Sequence, residues 1–383
     1  MLEVVAALDS FKGSLSSMEA GEAVARGIRR VYPDANVRIL PLADGGEGTA
    51  DALIRGCDGE RVITTVSDPL GRPIRAAYGI LPDQTAVIEM AAAAGLPLLS
   101  ADERSPMKAT TYGVGELILD AIAHGCRRLI LGIGGSATND GGVGMLQALG
   151  FAFLDANGEP IPRGAEGLSK LSRISLDGAL PALRDCEFRV ACDVTNPLCG
   201  ELGCSAVYAP QKSATPEEIA QMDGYLQAYA ELTRRVLPHA DPDFSGAGAA
   251  GGMGFAALAY LGAKLESGIT LMLDALSADR YFQAADLVVT GEGRLDGQTS
   301  MGKAPIGVAK LAKRHEKPVV AFSGCITDAA RLVNSQGIDA FFPIVPAAIP
   351  LSEAMEPENA KRNLANTAEQ VFLLIKTLRK ENK

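Results

Sequence analysis

A short apolar run that breaks into a dense glycine turn and then into a helix pattern limits what this chain can become. Leu129, Ile130, Leu131 and Ile133 suit a buried strand. The run opens into Gly132, Gly134, Gly135, Ser136, Ala137, Thr138, Asn139, Asp140, Gly141 and Gly142, after which Val143, Met145, Leu146 and Leu149 mark a helix. Strand, glycine-rich turn and helix aim free backbone N–H groups and the positive helix end at an anion. Glycines let the backbone approach a ligand and take positive φ. Ser136, Thr138, Asn139 and Asp140 add short polar side chains, and Asp140 could hold a metal. A tight turn with an Asx cap accounts for the same residues without a ligand.

The same grammar recurs along the chain. Val4–Leu8 reads as a strand ending in Asp9-Ser10-Phe11-Lys12-Gly13-Ser14, and Ser16-x-x-Glu19 reads as a capping box before a helix. Val37–Leu40 runs into Asp44-Gly45-Gly46-Glu47-Gly48-Thr49 and a helix at Ala50–Arg55. Asp44 and Glu47 read either as a metal or acid/base pair or as turn and helix-dipole residues. Arg61–Val66, Ile74–Leu81 and Thr85–Met90 instead predict antiparallel meander strands. Beyond Gly150 the chain reads as loop-rich. Phe188–Cys192 is a strand ending in Asp193-Val194-Thr195-Asn196, Ala206–Tyr208 a short strand, and Pro216–Leu237 a long amphipathic helix. The glycines of 246–254 suit either binding or close helix packing.

From Asp286 onward strands and helices alternate again. Leu287–Thr290 is read as a strand followed by the loop Gly291-Glu292-Gly293-Arg294-Leu295-Asp296-Gly297-Gln298-Thr299, and Val319–Phe322 as the next strand. The two ends share one grammar and the middle departs from it. The expectation is therefore a discontinuous doubly wound α/β domain over residues 1–66 and 286–383, with a second, mixed-sheet α/β domain inserted over residues 67–285. A length of 383 residues agrees with two domains.

Charge and cysteine usage narrow the chemistry. The net charge is -10, with acids and bases mixed, which argues against a nucleic-acid surface but not against an anionic small molecule. The seven cysteines fit no zinc spacing and read as reduced thiols of a cytoplasmic protein. The chain opens directly on a strand-like run, so no signal peptide is expected. No apolar run reaches the ~18 residues of a membrane helix. The three histidines, His124, His239 and His315, lie outside the glycine loops, and no nucleophile–histidine pairing is evident. Carboxylates, glycine N–H groups and well-placed cations are what phosphoryl transfer uses. No Gly-x-x-x-x-Gly-Lys-Ser/Thr loop is present.

Six segments taken in order resemble the bacterial glycerate kinase family. They are Asp9–Leu15, Pro41–Thr49, Gly132–Gly142, Cys192–Leu198, Gly246–Gly254 and Thr290–Thr299. Leu8 stands where the family pattern suggests proline, without consequence for the chemistry. The resemblance implies a flavodoxin-like domain with an inserted α/β domain, an active site in the interdomain cleft, and ATP-dependent phosphorylation of D-glycerate with magnesium. The expected product is 2-phosphoglycerate, with 3-phosphoglycerate the alternative. On this reading Lys12 and Arg294 bind the glycerate carboxylate or phosphoryl oxygens, and Asp193 or Asp296 accepts the hydroxyl proton. Asp44 and Glu292 ligate magnesium directly or through water. Asp9, Ser136, Asn139, Gly134, Gly135, Gly291 and Gly293 contact substrate or phosphate. A non-catalytic sugar-acid sensor and a metal-dependent hydrolase are the competing classes, and a homo-oligomer stays open.

Overall fold

The computed structural model describes residues 1–43, 45–46, 48–297 and 304–381, with side chains to residue 379. Along this described chain the strands are β1 (Glu3–Leu8), β2 (Asn36–Ile39), β3 (Glu60–Ser67), β4 (Pro73–Ile80), β5 (Thr85–Glu89), β6 (Arg128–Gly132) and β7 (Ala152–Leu154). They continue as β8 (Arg173–Ser175), β9 (Glu187–Ala191), β10 (Lys264–Glu266), β11 (Leu287–Leu295), β12 (Val319–Ile326) and β13 (Ala340–Pro343). Two compact units result. One comprises Met1–Asp44, Arg55–Cys57 and Ile269–Lys383; the other comprises Gly45–Ile54 and Asp58–Gly268.

The first unit is a five-stranded, all-parallel sheet in the order β13-β12-β11-β1-β2. Numbered within the unit and read from the other edge, this is the flavodoxin-like order 2-1-3-4-5. Its central strands β1, β11 and β12 are largely buried and rich in Val, Ala, Leu and Phe, as parallel strands covered by helices must be. The helix Ser17–Val31 opens on the expected capping box. Glu19 N–H donates to Ser16 Oγ at 3.3 Å, and Ser16 N–H donates back to the Glu19 carboxylate at 3.0 Å. Its apolar side packs against the helix Pro357–Glu381, where Gly27 permits contact; a Cβ there would lie 2.2 Å from the Ala365 carbonyl oxygen.

The strand read as ending at Thr290 continues to Leu295, so Gly291–Leu295 are sheet rather than loop. Its neighbour β12 also runs on, to Ile326, and the ladder holds Glu292 opposite Ser323, Arg294 opposite Cys325 and Leu295 opposite Ile326. Gly291 is here for close approach: a Cβ would lie 2.1 Å from the Phe322 carbonyl oxygen.

The second unit holds a six-stranded mixed sheet, β10-β9-β6-β5-β4-β3. β3, β4 and β5 form the antiparallel meander, whereas β5, β6, β9 and β10 are parallel. The segment read as loop-rich carries the antiparallel ribbon β7–β8. Residues 206–208, read as a strand, belong to the helix Cys204–Tyr208. Adjacent Cys204 and Ser205 are both buried while Val207 is exposed, a pattern that strand alternation cannot produce. Tyr229, Phe255, Tyr260, Phe151 and Phe153 supply an aromatic cluster in its core.

Candidate active site

In the first unit the strand order reverses between β1 and β11, the place where open α/β sheets leave a ligand crevice beyond their carboxyl ends. Asp9 follows β1 there, with its N–H donating to the Gly291 carbonyl at 2.9 Å and its carboxylate accepting from Ser10 N–H at 2.6 Å. Glu292 follows the last residue of β11 that pairs with β1. Asp9 is 5% exposed and Glu292 7%, so two largely buried carboxylates stand at neighbouring strand positions. Lys12 and Arg294 are exposed. The loop after β1 passes Gly293 at ordinary contact distance, its Cβ position lying 3.5 Å from Lys12 N. Arg294 Nε pairs with Asp296 Oδ2 at 3.4 Å, and Leu295 N–H donates to Ser323 Oγ at 3.0 Å, fixing the strand end that carries both. Asp44, Glu47, Gln298 and Thr299 lie outside the described residues.

In the second unit the carboxyl edge of the parallel strands gathers the other set. The turn after β6 carries Gly134, Gly135, Ser136 and Asn139, and Asp193 lies two residues beyond the end of β9 at Ala191. Asp193 is exposed, with Oδ1 accepting from Gly268 N–H at 3.0 Å. The segment Gly45–Gly46 lies against the same edge. Gly132 and Gly134 make room for it, since Cβ atoms there would come within 2.6 Å of the Gly45 carbonyl oxygen and 2.9 Å of Gly46 Cα. Glu89, at the end of β5, accepts the Ala50 N–H at 2.7 Å and so caps the helix Thr49–Cys57. A cavity of about 350 Å³ opens beside this helix, lined among others by Asp51, Arg61, Arg75, Tyr78 and Glu89.

The glycine turn is held by its own polar groups. Asp140 is almost fully buried and accepts from Thr111 N–H (2.8 Å), Thr111 Oγ1 (2.9 Å), Gly142 N–H (3.1 Å) and Gly144 N–H (3.2 Å). Burial pushes its carboxyl pKa up, against these four donors. Its oxygens therefore build the turn. Asn139 has no exposure; its Nδ2 donates to Ser205 Oγ at 2.8 Å, while its Oδ1 and Thr138 Oγ1 have no hydrogen-bond partner among the described residues. The left-handed run Ala250, Gly251 and Gly252 backs the turn, with Gly141 N–H donating to the Gly251 carbonyl at 2.9 Å. A Cβ at Gly251 would lie 2.1 Å from the Thr138 carbonyl oxygen, so this glycine serves packing.

Sequence reasoning passed over Lys212. It is 2% exposed, with Nζ donating to Ser136 Oγ at 2.8 Å and to the Thr138 carbonyl at 2.6 Å. Burial pulls its pKa down to about 8, against the opposing influence of Cys204 and Asp140. No spacing signals it, because the lysine reaches the turn from a different segment, the short 3₁₀ turn Pro210–Lys212.

Among the described residues no helix is long and apolar enough to cross a membrane, and none of the seven cysteines is in a disulfide. The glycerate kinase family matches residues 4–376. The glycerate kinase of Bacillus subtilis (strain 168) is 47% identical over 376 residues, covering 98% of each chain. The glycerate 2-kinase of Escherichia coli (strain K12) is 47% identical over 373 residues, covering 96% of this chain and 98% of its own. The crystal structure of a protein provisionally named glycerate kinase 2, from Salmonella typhimurium LT2, superposes with a TM-score of 0.91 at 46% identity and 99% coverage of both chains. With its flavodoxin-like first unit, its glycine-built second unit and this whole-length likeness, the chain belongs to the glycerate kinase family.

Proposed function

We propose that the chain transfers the γ-phosphoryl group of ATP to D-glycerate and that the product is 2-phosphoglycerate. The observation that carries this reading is the switch point of the first unit, where buried Asp9 and Glu292 stand beside exposed Lys12 and Arg294. Phosphoryl transfer needs little covalent chemistry from the protein; it needs cations on spreading negative charge, N–H groups on phosphate oxygens and an oriented acceptor hydroxyl. The choice of the 2-hydroxyl draws on the Escherichia coli relative named glycerate 2-kinase.

Lys12 and Arg294 bind the glycerate carboxylate or phosphoryl oxygens in this reading. Arg294 offers a planar fork and Lys12 a compact charge. Asp193 or Asp296 orients the acceptor hydroxyl and takes its proton. Asp193 is steadied by the Gly268 N–H and Asp296 by the Arg294 guanidinium. Gly134, Gly135, Ser136 and Asn139 in the second unit, and Asp9, Gly291 and Gly293 in the first, contact substrate or phosphate.

Glu292 and Asp44 would hold the magnesium carried with ATP. The donor set suits it, because Glu292 and neighbouring Asp9 offer hard carboxylate oxygens at one strand edge. Magnesium needs only one or two protein carboxylates when phosphates and waters complete its shell. It supplies charge neutralisation on the phosphates. The seven cysteines, none in a disulfide, support a reducing compartment, the cytoplasm.

The test is ADP release with D-glycerate, with L-glycerate and with no acceptor, alongside product release without ATP. D-glycerate-dependent ADP release is expected, and turnover without ATP would instead identify a hydrolase. Asp193→Asn and Asp296→Asn bracket the base, whose loss lowers kcat by about 10²–10⁴-fold. Near-parental rates in both remove the two acids from the chemistry. Lys12→Ala is expected to raise KM for glycerate; unchanged KM and kcat take Lys12 out of the site.

A further inference from the structure

We propose that Lys212 is a positioning residue that turns the Ser136 hydroxyl into a directed donor for an anionic oxygen, either the glycerate carboxylate or a phosphoryl oxygen. The inference rests on the function proposed above for the identity of that ligand, and deepens it.

A fully buried lysine is rare unless it is paired with a carboxylate. Among the described residues Lys212 Nζ has no carboxylate within hydrogen-bond distance; its acceptors are the Ser136 hydroxyl and the Thr138 carbonyl. Asp140 in the turn and Cys204 on the helix Cys204–Tyr208 are the titratable groups that act on it through space. The fold thus retains a cation at a cost to its stability, directly beneath a glycine-rich turn.

The chemistry at Ser136 gives that cation a use. A hydroxyl has one hydrogen and two lone pairs. The ammonium takes a lone pair, so the hydrogen is left to donate, and among the described residues no protein acceptor is present for it. Accepting from a charged donor also polarises the O–H and strengthens the bond it makes onward. The backbone allows Ser136 little freedom. It bridges to Gly95, with Leu96 N–H donating to the Gly135 carbonyl (3.0 Å) and Ala137 N–H to the Ala94 carbonyl (2.8 Å). The neighbouring Gly135 is exposed, so an anion can reach this edge of the turn. The unpartnered Asn139 Oδ1 and Thr138 Oγ1 in the same turn independently mark it as polar and incompletely satisfied.

The experiment is a double-mutant cycle of Lys212→Met, Ser136→Ala and the two combined, read as kcat/KM for D-glycerate with magnesium-ATP. A hydrogen bond from a charge-supported donor to an anion is worth about 10–100-fold. Each single variant is expected to lose that factor, and the double variant no more than either one. Losses that multiply, or a folded Lys212→Met with parental kcat/KM, overturn the proposal.

A pH profile separates positioning from packing. The parent is expected to lose rate as Lys212 deprotonates near pH 8. That alkaline limb disappears in Ser136→Ala and is displaced upward in Lys212→Arg, because the guanidinium stays charged. Ser136→Ala leaves Lys212 in place with the Thr138 carbonyl as acceptor, so a limb that persists in it overturns the proposal even where the Lys212 variants fail to fold. Calorimetric titration with inorganic phosphate gives the reading without turnover. Equal weakening across the cycle in a protein inactive on glycerate supports the Lys212 relay and refutes the proposed activity. Binding of neither inorganic phosphate nor, in a parallel titration, D-glycerate by the parent, or affinities for both unchanged by either single variant, overturns the relay.

Discussion

Replacing Asp140 separates a residue that builds the glycine turn from one that touches the ligand. In Asp140→Ala three backbone donors, the N–H groups of Thr111, Gly142 and Gly144, lose their acceptor, and the Thr111 hydroxyl must turn elsewhere. Three buried N–H groups at roughly 1–3 kcal/mol each, less the relief of no longer burying a carboxylate, leave a net loss of about 3–5 kcal/mol. For a unit of this size that lowers the melting temperature by roughly 6–20 °C. Asp140→Asn keeps one oxygen for Thr111 and Gly144 but sets its amide against the Gly142 N–H, a single mismatch worth about 1–3 kcal/mol. Thermal and urea unfolding should rank parent above Asn above Ala. An Ala variant that melts with the parent, or an Asn variant less stable than Ala, refutes the assignment of Asp140 to the turn.

Gly251→Ala should cost at least about 2 kcal/mol in urea unfolding, because the residue has a φ of +70° and an added Cβ would lie 2.1 Å from the Thr138 carbonyl oxygen; a neutral result removes close packing as the reason for the glycine. Lys212 gives a stability signature opposite in sign to its expected effect on rate. Its folded pKa is about 8 against an ordinary 10.5, so the unfolded chain binds the proton more tightly between those values. Stability contributed by this group rises over that window by at most about 1.4 kcal/mol per pH unit, and Lys212→Met should lack the rise; equal slopes in the two proteins contradict it. Ser16→Ala should lose about 1 kcal/mol with the capping box. Its partner Glu19 has a pKa lowered to about 2 by the Ser16 backbone and side chain, so its support is present above the usual carboxylate range and fades as pH falls from 4.5 towards 2; a parent and Ser16→Ala pair with identical acid unfolding excludes it.

The parts of the fold legible in sequence are those whose signals are local. Ser16 and Glu19 announce a helix start because both hydrogen bonds lie within four residues, and the runs around Pro82-Asp83 announce a hairpin because turn chemistry is local. What was illegible depends on partners distant in the chain. Gly291 and Gly293 read as loop residues, yet a matching extension of β12 makes them strand, and the missing side chain of Gly291 leaves room for the Phe322 carbonyl. Ala206-Val207-Tyr208 carries strand propensity, but burial of Cys204 and Ser205 decides for a helix. Asp140 read either as a metal holder or as part of a tight turn, because an acid in a glycine turn is chemically ambiguous until its donors are known. Lys212 carries no local signal, since only tertiary packing brings it to Ser136.

Phosphorus NMR of the product formed from D-glycerate and magnesium-ATP tests the central claim most directly. A phosphate on the 2-oxygen couples to the single proton of that carbon and gives a doublet, whereas one on the 3-oxygen couples to a methylene and gives a triplet. The expected result is D-glycerate-dependent ADP formation with a doublet. A triplet contradicts the choice of hydroxyl, and the absence of any glycerate-dependent phosphoester contradicts the proposed reaction itself.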